Sequence, residues 1–238
     1  MNDNDMMFFQ DSFEDALSAL DDFSLKLRGI YISFPEAKTN YIELPFSNEV
    51  IDLTQIDGNV YYKQRSIQLD FDYLGDFSMW HTQMSEIADY LHGKRLKLVD
   101  TSDAGFYYLG RLALDSTKTD PVMAQVTLMG TMNPFKYELL SSAQDWLWDP
   151  FDFVTGLIRE YKDLVVQGEL MVMIEGTAMA VIPIITPSSA MRVSFEGETY
   201  DLSPGNNKIY AIQLKKGENI LKFTGNGKVT IDYRGGWL

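Results

Sequence analysis

The chain has no cysteine, two histidines in 238 residues, and no apolar run long enough to cross a bilayer. The missing thiol excludes disulfides, thiolate nucleophiles and cysteine-based metal sites, and suits a chain made in a reducing cytosol. His81 and His92 are three helical turns apart in sequence, which separates them by about 16 Å of helix rise, too far to share a metal. The most apolar stretch, AMAVIPIITP at 178–187, is short and contains Pro183, so no membrane span is expected. The opening MNDNDMMFFQDSFED carries acids where a signal peptide carries Lys or Arg, and a soluble chain is expected.

Basic side chains are also scarce. Against 34 acids there are 20 bases, a formal charge of −14, which repels polyanions and argues against non-specific nucleic-acid binding. The acidity is concentrated early: residues 1–133 hold 21 acids and 10 bases, residues 134–238 hold 13 and 10. GKRLK at 93–97 and KK at 215–216 are too small to form a nucleic-acid footprint.

Catalytic signatures are missing too. No Walker loop, G-x-S-x-G or G-x-G-x-x-G occurs. DTSDAGFYYLGR at 100–111 puts Gly105 at the sixth position of an EF-hand loop, but Ala104 occupies the fifth and Arg111 stands where a bidentate Glu is needed, so it reads as a turn. Asp70 with Asp72 and Glu196 with Glu198 alternate along strands and face water, which is no glycosidase geometry. No catalytic residue, cofactor or metal site is expected.

What the chain does have is 45% apolar and 13% aromatic residues, enough for one large or two smaller cores. SIQLDFDY places Ile67, Leu69, Phe71 and Tyr73 on one face of a half-buried antiparallel strand. In SLKLRGIYISF the apolar phase changes at Gly29, which predicts a β-bulge. SMWHTQMSEIADYLHG predicts one amphipathic helix with Trp80, Met84, Ile87 and Leu91 on its buried face, Ser78 as N-cap and Gly93 as stop. KRLKLVD, then the run with Phe106, Tyr108, Leu112 and Leu114 on one face, then VMAQVTL predict three further strands. Phe8, Phe9, Phe13, Leu17 and Leu20 recur at rough helical spacing in the acid-rich residues 1–22, which predicts an amphipathic N-terminal helix or an arm.

Asn133 and Pro134 mark a boundary. This divides the chain into a first domain, 1–135, a connecting segment, 136–168, in which Asp149 and Pro150 offer a helix start, and a second domain, 169–238, with a start near residue 140 as the alternative. There, short apolar strands separated by Gly-bearing turns predict a β-sandwich, with a hairpin turn at Asn226–Gly227. Aromatics exceed what two modest cores need. Tyr61, Tyr62 and Tyr107 fall opposite the inward set, and with Arg111 they have the composition enriched at protein interfaces, so these four are candidate subunit-contact residues.

The ordered set IDLT (51–54), VYYKQRSIQLDFDY (60–73), LHGKRLKLVD (91–100), FYYLGRLAL (106–114) and MNPFKY (132–137) resembles the N-terminal half of the distal tail proteins of long-tailed bacteriophages. VIPIITPSSAMRVSFEGETYDL and IQLKKGENILKFTGNGKVTIDYRGGWL are similar to that family's C-terminal half. About twenty acid-rich residues precede the strand with which the family's members often begin. The resemblance implies a mainly β fold: an N-terminal β-sandwich or split-barrel domain with one α-helix, forming a hexameric ring, and a C-terminal galectin-like β-sandwich. It implies a virion component of the tail tip, made in the host cytoplasm, joining the tail tube protein to the tail-associated fibre-base protein and anchoring receptor-binding proteins. DNA would pass through the channel without specific binding, past a wall made negative by part of the N-terminal acidity. Tyr107 and Arg111 would then face outward, with Phe106 and Tyr108 in the core. The competing reading is a carbohydrate-binding module stacking sugars on Trp146, Trp148 or Trp237, although residues 134–238 contain no histidine for a galectin-type site.

Overall fold

The computed structural model describes residues 5–118, 124–143 and 161–238. Among the described residues the chain is mainly β with one α-helix, and it divides into two compact units: residues 1–103 with 108–134, and residues 104–107 with 135–237. Each has its own core.

In the first unit the strands are β1 (Met6–Phe9), β2 (Leu17–Ser18), β3 (Leu25–Ile32), β4 (Tyr41–Glu43), β5 (Val50–Asp52), β6 (Arg65–Tyr73), β7 (Arg95–Asp100), β8 (Phe106–Lys118) and β9 (Gln125–Met132), with α1 (Trp80–Leu91) between β6 and β7. Seven form one antiparallel sheet in the order β2-β1-β7-β8-β9-β6-β3, and β4 and β5 form a separate hairpin. The alternation read in β6 is realised: Ile67, Leu69, Phe71 and Tyr73 are all buried. The register slips between Leu27 and Gly29, where the bulge is expected. Trp80, Ile87 and Leu91 of α1 are buried, with Met84 packed against them, and each such side chain contributes about 1.5–3 kcal/mol. Tyr73 meets Trp80 edge-on at 5.0 Å and locks the helix start to the end of β6.

Two local expectations need correction here. Ser78 is not the N-cap: Asp76 accepts from the Ser78 N–H at 2.8 Å and caps a short 3-10 turn, Phe77–Met79, that feeds α1. Nor is the N-terminal segment a helix. Met6 and Phe8 are fully buried on one face of β1, which pairs with β7 from Met6↔Asp100 to Phe9↔Lys97. The helical spacing arises because a strand, a 3-10 turn at Phe13–Asp15 and a second strand follow one another within fifteen residues. Asp5 secures this corner, accepting from Ser18 Oγ at 2.5 Å and the Leu20 N–H at 3.2 Å.

The second unit contains β10 (Lys136–Glu138), β11 (Leu164–Gly176), β12 (Ile184–Pro187), β13 (Met191–Phe195), β14 (Glu198–Leu202), β15 (Asn207–Lys208), β16 (Gly217–Asp232) and β17 (Gly236–Trp237). Strands thus occupy both ends of the segment read as a connection, 136–168. The helix start at Asp149 and Pro150 lies outside the described residues. The spine is β16. It pairs with β11 over thirteen residues, and on its other edge first with β13 and then with β12.

That continuity overturns the hairpin expected at Asn226–Gly227, which lies inside β16. Gly225 and Gly227 have φ of +149° and +140°, and a Cβ on either would meet Met191 Cβ at 2.7 Å or Ser189 Oγ at 2.5 Å. The glycines let the strand pass under the β12–β13 connection at the place where its partner changes. IYAIQL, 209–214, which reads as one of the short apolar strands of the second domain, is no regular strand, although Ile212 and Leu214 are buried.

Two five-residue loops share one device. In both SPGNN (203–207) and KKGEN (215–219) the third residue is a glycine near φ +93° and the fifth is an Asn. Asn219 donates to the carbonyls of Lys215, Gly217 and Ile174 and accepts from the Lys215 N–H. Asn207 repeats the pattern with Ser203, Gly205 and Ile185. One side chain thereby closes the loop and ties it to a neighbouring strand.

Candidate assembly surfaces

The second unit explains why Tyr107 is not a surface residue. Its ring is 7% exposed and stacked on Tyr137 at 5.4 Å, with the Arg234 guanidinium 5.9 Å from its centroid. Tyr137 and Glu138 of β10 pair with Tyr107 and Phe106. On the face that the alternation assigns to solvent, the ring of Tyr137, cross-strand on the paired β10, and Arg234 therefore cover Tyr107, and this corrects its outward placement. Burial raises its phenol pKa, opposed by Arg234. The closing YRGG belongs to the same cluster: Arg234 donates to the Glu138 and Leu139 carbonyls, and the Gly235 N–H donates to Glu138 Oε2 at 2.8 Å. Trp237 is half-buried, edge-on to Phe106 at 6.4 Å. Trp146 and Trp148 lie outside the described residues.

On the first unit, the solvent-facing side of the sheet changes in charge along its strands. One cross-strand row runs Arg95, Arg111, Thr131, Ser66, and all four are exposed. The next holds Ala113, Met129, Gln68 and Tyr31, with Met129 and Tyr31 open to solvent. Further along come Asp70 and Asp72, with Lys26 opposite Asp72. Asp70 is held by Gln68 and Thr127. Arg95 directly faces Arg111, an unfavourable like-charge pair. Lys94 adjoins them, and none of the three forms an ion pair with a carboxylate among the described residues. Arg111 spends one N–H on the Gly93 carbonyl at 2.8 Å, which fixes the turn after α1. His92 accepts from the Leu114 N–H and so serves the same turn.

The sharpest feature leaves no periodic signal in the sequence. Between β3 and β6 the chain leaves the sheet as an arm. Its base is laddered by Lys38 N–H to Tyr61 O, Lys63 N–H to Glu36 O, and the Ala37↔Tyr62 bridge. The β4–β5 hairpin lies beyond it, and none of its residues is buried. Residues 34–61 hold nine exposed large apolar side chains, among them Phe34, Tyr41, Ile42, Phe46, Val50 and Ile51. At the tip, Leu44–Ser47 forms a turn closed by the Ser47 N–H on the Leu44 carbonyl, with Pro45 and then Phe46 at φ +62°. A bulky residue in that left-handed conformation is strained, and this one is fully exposed. Five acids and one base lie in 34–61. Tyr61 is half-exposed and donates to Asp57 at 2.5 Å, a bond that holds the Asp57 carboxyl below its ordinary value.

The four sequence candidates thus separate. Tyr61 and Tyr62 sit at the arm base, Arg111 on the open sheet face, and Tyr107 inside the second unit. The tip was missed because its apolar residues have no core to take a phase from; the signal present was Pro45-Phe46 between two acids. Among the described residues no three His, Asp or Glu side chains come together as a metal site, and no helix is long and apolar enough to cross a membrane.

No family model matches the chain, and no curated protein matches it. A solved structure does: the Dit (gp 19.1) protein of phage SPP1, described as a paradigm of the hub adsorption apparatus in phages infecting Gram-positive bacteria. The two superpose with a TM-score of 0.56 over 99% of each chain, at 12% sequence identity. At that identity the likeness is one of fold, and the resemblance read from the sequence is matched at that level: this chain carries the fold of a phage Dit protein from end to end.

Proposed function

We propose that the chain is a structural hub of a phage tail tip, a virion component with no catalytic task. In this reading six copies form a ring that joins the tail tube to the fibre-base protein, and the second units, galectin-like sandwiches, anchor receptor-binding proteins. The ring is made by the first domain, 1–135, and the second domain, 169–238, is extended by β10 and the start of β11 from within 136–168. The observation that carries the reading is the fold likeness over both chains in full. The unburied apolar arm adds to it, since a monomer gains nothing by exposing Phe46, Ile42 and Ile51 together. The surplus of acids in residues 1–133, 21 against 10 bases, is suited to a channel wall that does not hold DNA phosphates.

Light scattering and negative-stain microscopy of the purified chain test this. Six-fold rings with a central hole, at six times the 27.2 kDa of the chain, are the expected result. A monomer at micromolar and higher concentration removes the ring, and a ring with a basic lumen removes the wall.

A further inference from the structure

We infer that the arm tip of one copy docks on the Lys94–Arg95–Arg111 patch of the next copy, head to tail around the ring. This rests on the ring reading and names the contact that closes it.

Three observations converge. The first is the tip itself. Glu43, Phe46 and Glu49 are three residues apart, all exposed, and neither carboxylate has a basic partner among the described residues. The other arm acids are engaged locally: Glu36 with Lys63, Asp52 with Thr54, and Asp57 with Tyr61. A hairpin of three residues per strand with both faces in water is marginal by itself, and it bears a strained aromatic at its apex. Such a tip is completed by something outside its own chain.

The second is the patch. In a chain of net charge −14, Arg95 and Arg111 are set side by side on adjacent strands with Lys94 beside them. Three other bases of this unit have local engagements: Lys26 faces Asp72, Lys63 bridges Glu36, and Lys97 donates to the Asp11 carbonyl and lies over Phe9. A like-charge pair left open on a sheet face becomes favourable once carboxylates arrive between its members.

The third is the seat. One cross-strand row from Arg111 lie Ala113 and Met129, the latter 40% exposed. A guanidinium pair beside an adaptable thioether is a surface that accepts an aromatic ring between two carboxylates. Tip and patch are different surfaces of one chain, so the contact is heterologous, the kind that closes rings.

The test uses the full chain at physiological salt, read by light scattering and native mass spectrometry, with thermal melts as the folding control. K94E/R95E leaves the Arg111 bond to Gly93 intact, and E43K/E49K reverses the tip. Each alone is expected to weaken ring formation about tenfold or more while leaving the melt unchanged. Mixed in equal amounts, the two variants are expected to form rings of three plus three, because tip and patch are complementary only between unlike copies. A hexameric wild type whose variants also stay hexameric overturns this contact and leaves the ring reading standing. Broken variants that do not rescue each other overturn it as well. A wild type that never assembles overturns the ring reading, and the contact falls with it.

Discussion

The two short hairpins β4–β5 and β13–β14 make opposite use of similar backbone. In β13–β14 the turn residues Glu196 and Gly197 have φ of +49° and +90°, the type I′ geometry, with glycine taking one of the two positive-φ positions. Val193, Phe195 and Leu202 behind the turn are buried. In β4–β5 the positive φ falls on Phe46, and nothing behind it is buried. One hairpin is finished within its own chain. The other keeps its strain and its apolar surface for a neighbour, and a residue's conformation is understood only with what covers it.

The largest contrast should appear in the cores. Phe223→Ala, at a fully buried position of β16, is expected to cost about 3–5 kcal/mol by chemical denaturation, and Ile51→Ala in the arm less than about 0.5 kcal/mol. An arm variant as costly as the core one would mean the hairpin is packed in the isolated chain.

Next come the loops locked by Asn. Asn219→Ala leaves buried carbonyls unpaired and is expected to cost about 2–3 kcal/mol; Asn207→Ala, at a more open loop, about 1 kcal/mol. Equal losses would show that exposure does not set the value of the motif.

The turn apices should then respond with opposite sign. Gly197→Ala is expected to destabilise by about 1 kcal/mol, and Phe46→Gly to stabilise the isolated chain by a similar amount, about 1 kcal/mol, while weakening assembly. A Phe46→Gly chain that is less stable alone would put the ring of Phe46 on its own protein.

The smallest effect is in pH. Burial lifts the Tyr107 phenol above its ordinary 10.0, so its contribution is present below pH 10 and is lost as pH rises through the folded value; Tyr107→Phe should blunt that alkaline loss. Asp57, held down by Tyr61 in the arm, behaves conversely. Its contribution is present above pH 3.8 and fades as pH falls through the folded value, and the same bond raises the Tyr61 phenol, so Tyr61→Phe should change the acid limb of the melt and blunt the alkaline loss as well.

The sequence was readable wherever burial imposes a period. β6, the apolar face of α1 and the bulge at Gly29 stand as expected, because each turns one set of side chains to a core. The N-terminal strand is hidden because turns between two short strands mimic helical spacing. Asn226–Gly227 was misread because glycine serves close approach as readily as a reverse turn. Tyr107 was misplaced because a strand distant in sequence covers it, which alternation along β8 cannot reveal. The arm was silent for the opposite reason: with no inside, Ile42, Phe46 and Ile51 follow no rule that one chain can enforce.

The long strand β16 has a consequence for how the second unit comes apart. It touches β11, β12 and β13 in turn, so no half of that unit can melt while the other persists. Amide exchange there should collapse into a single slow class, and a deletion of one residue between Thr224 and Lys228 would invert the facing of every side chain beyond it. Length changes are confined to the connections outside that strand.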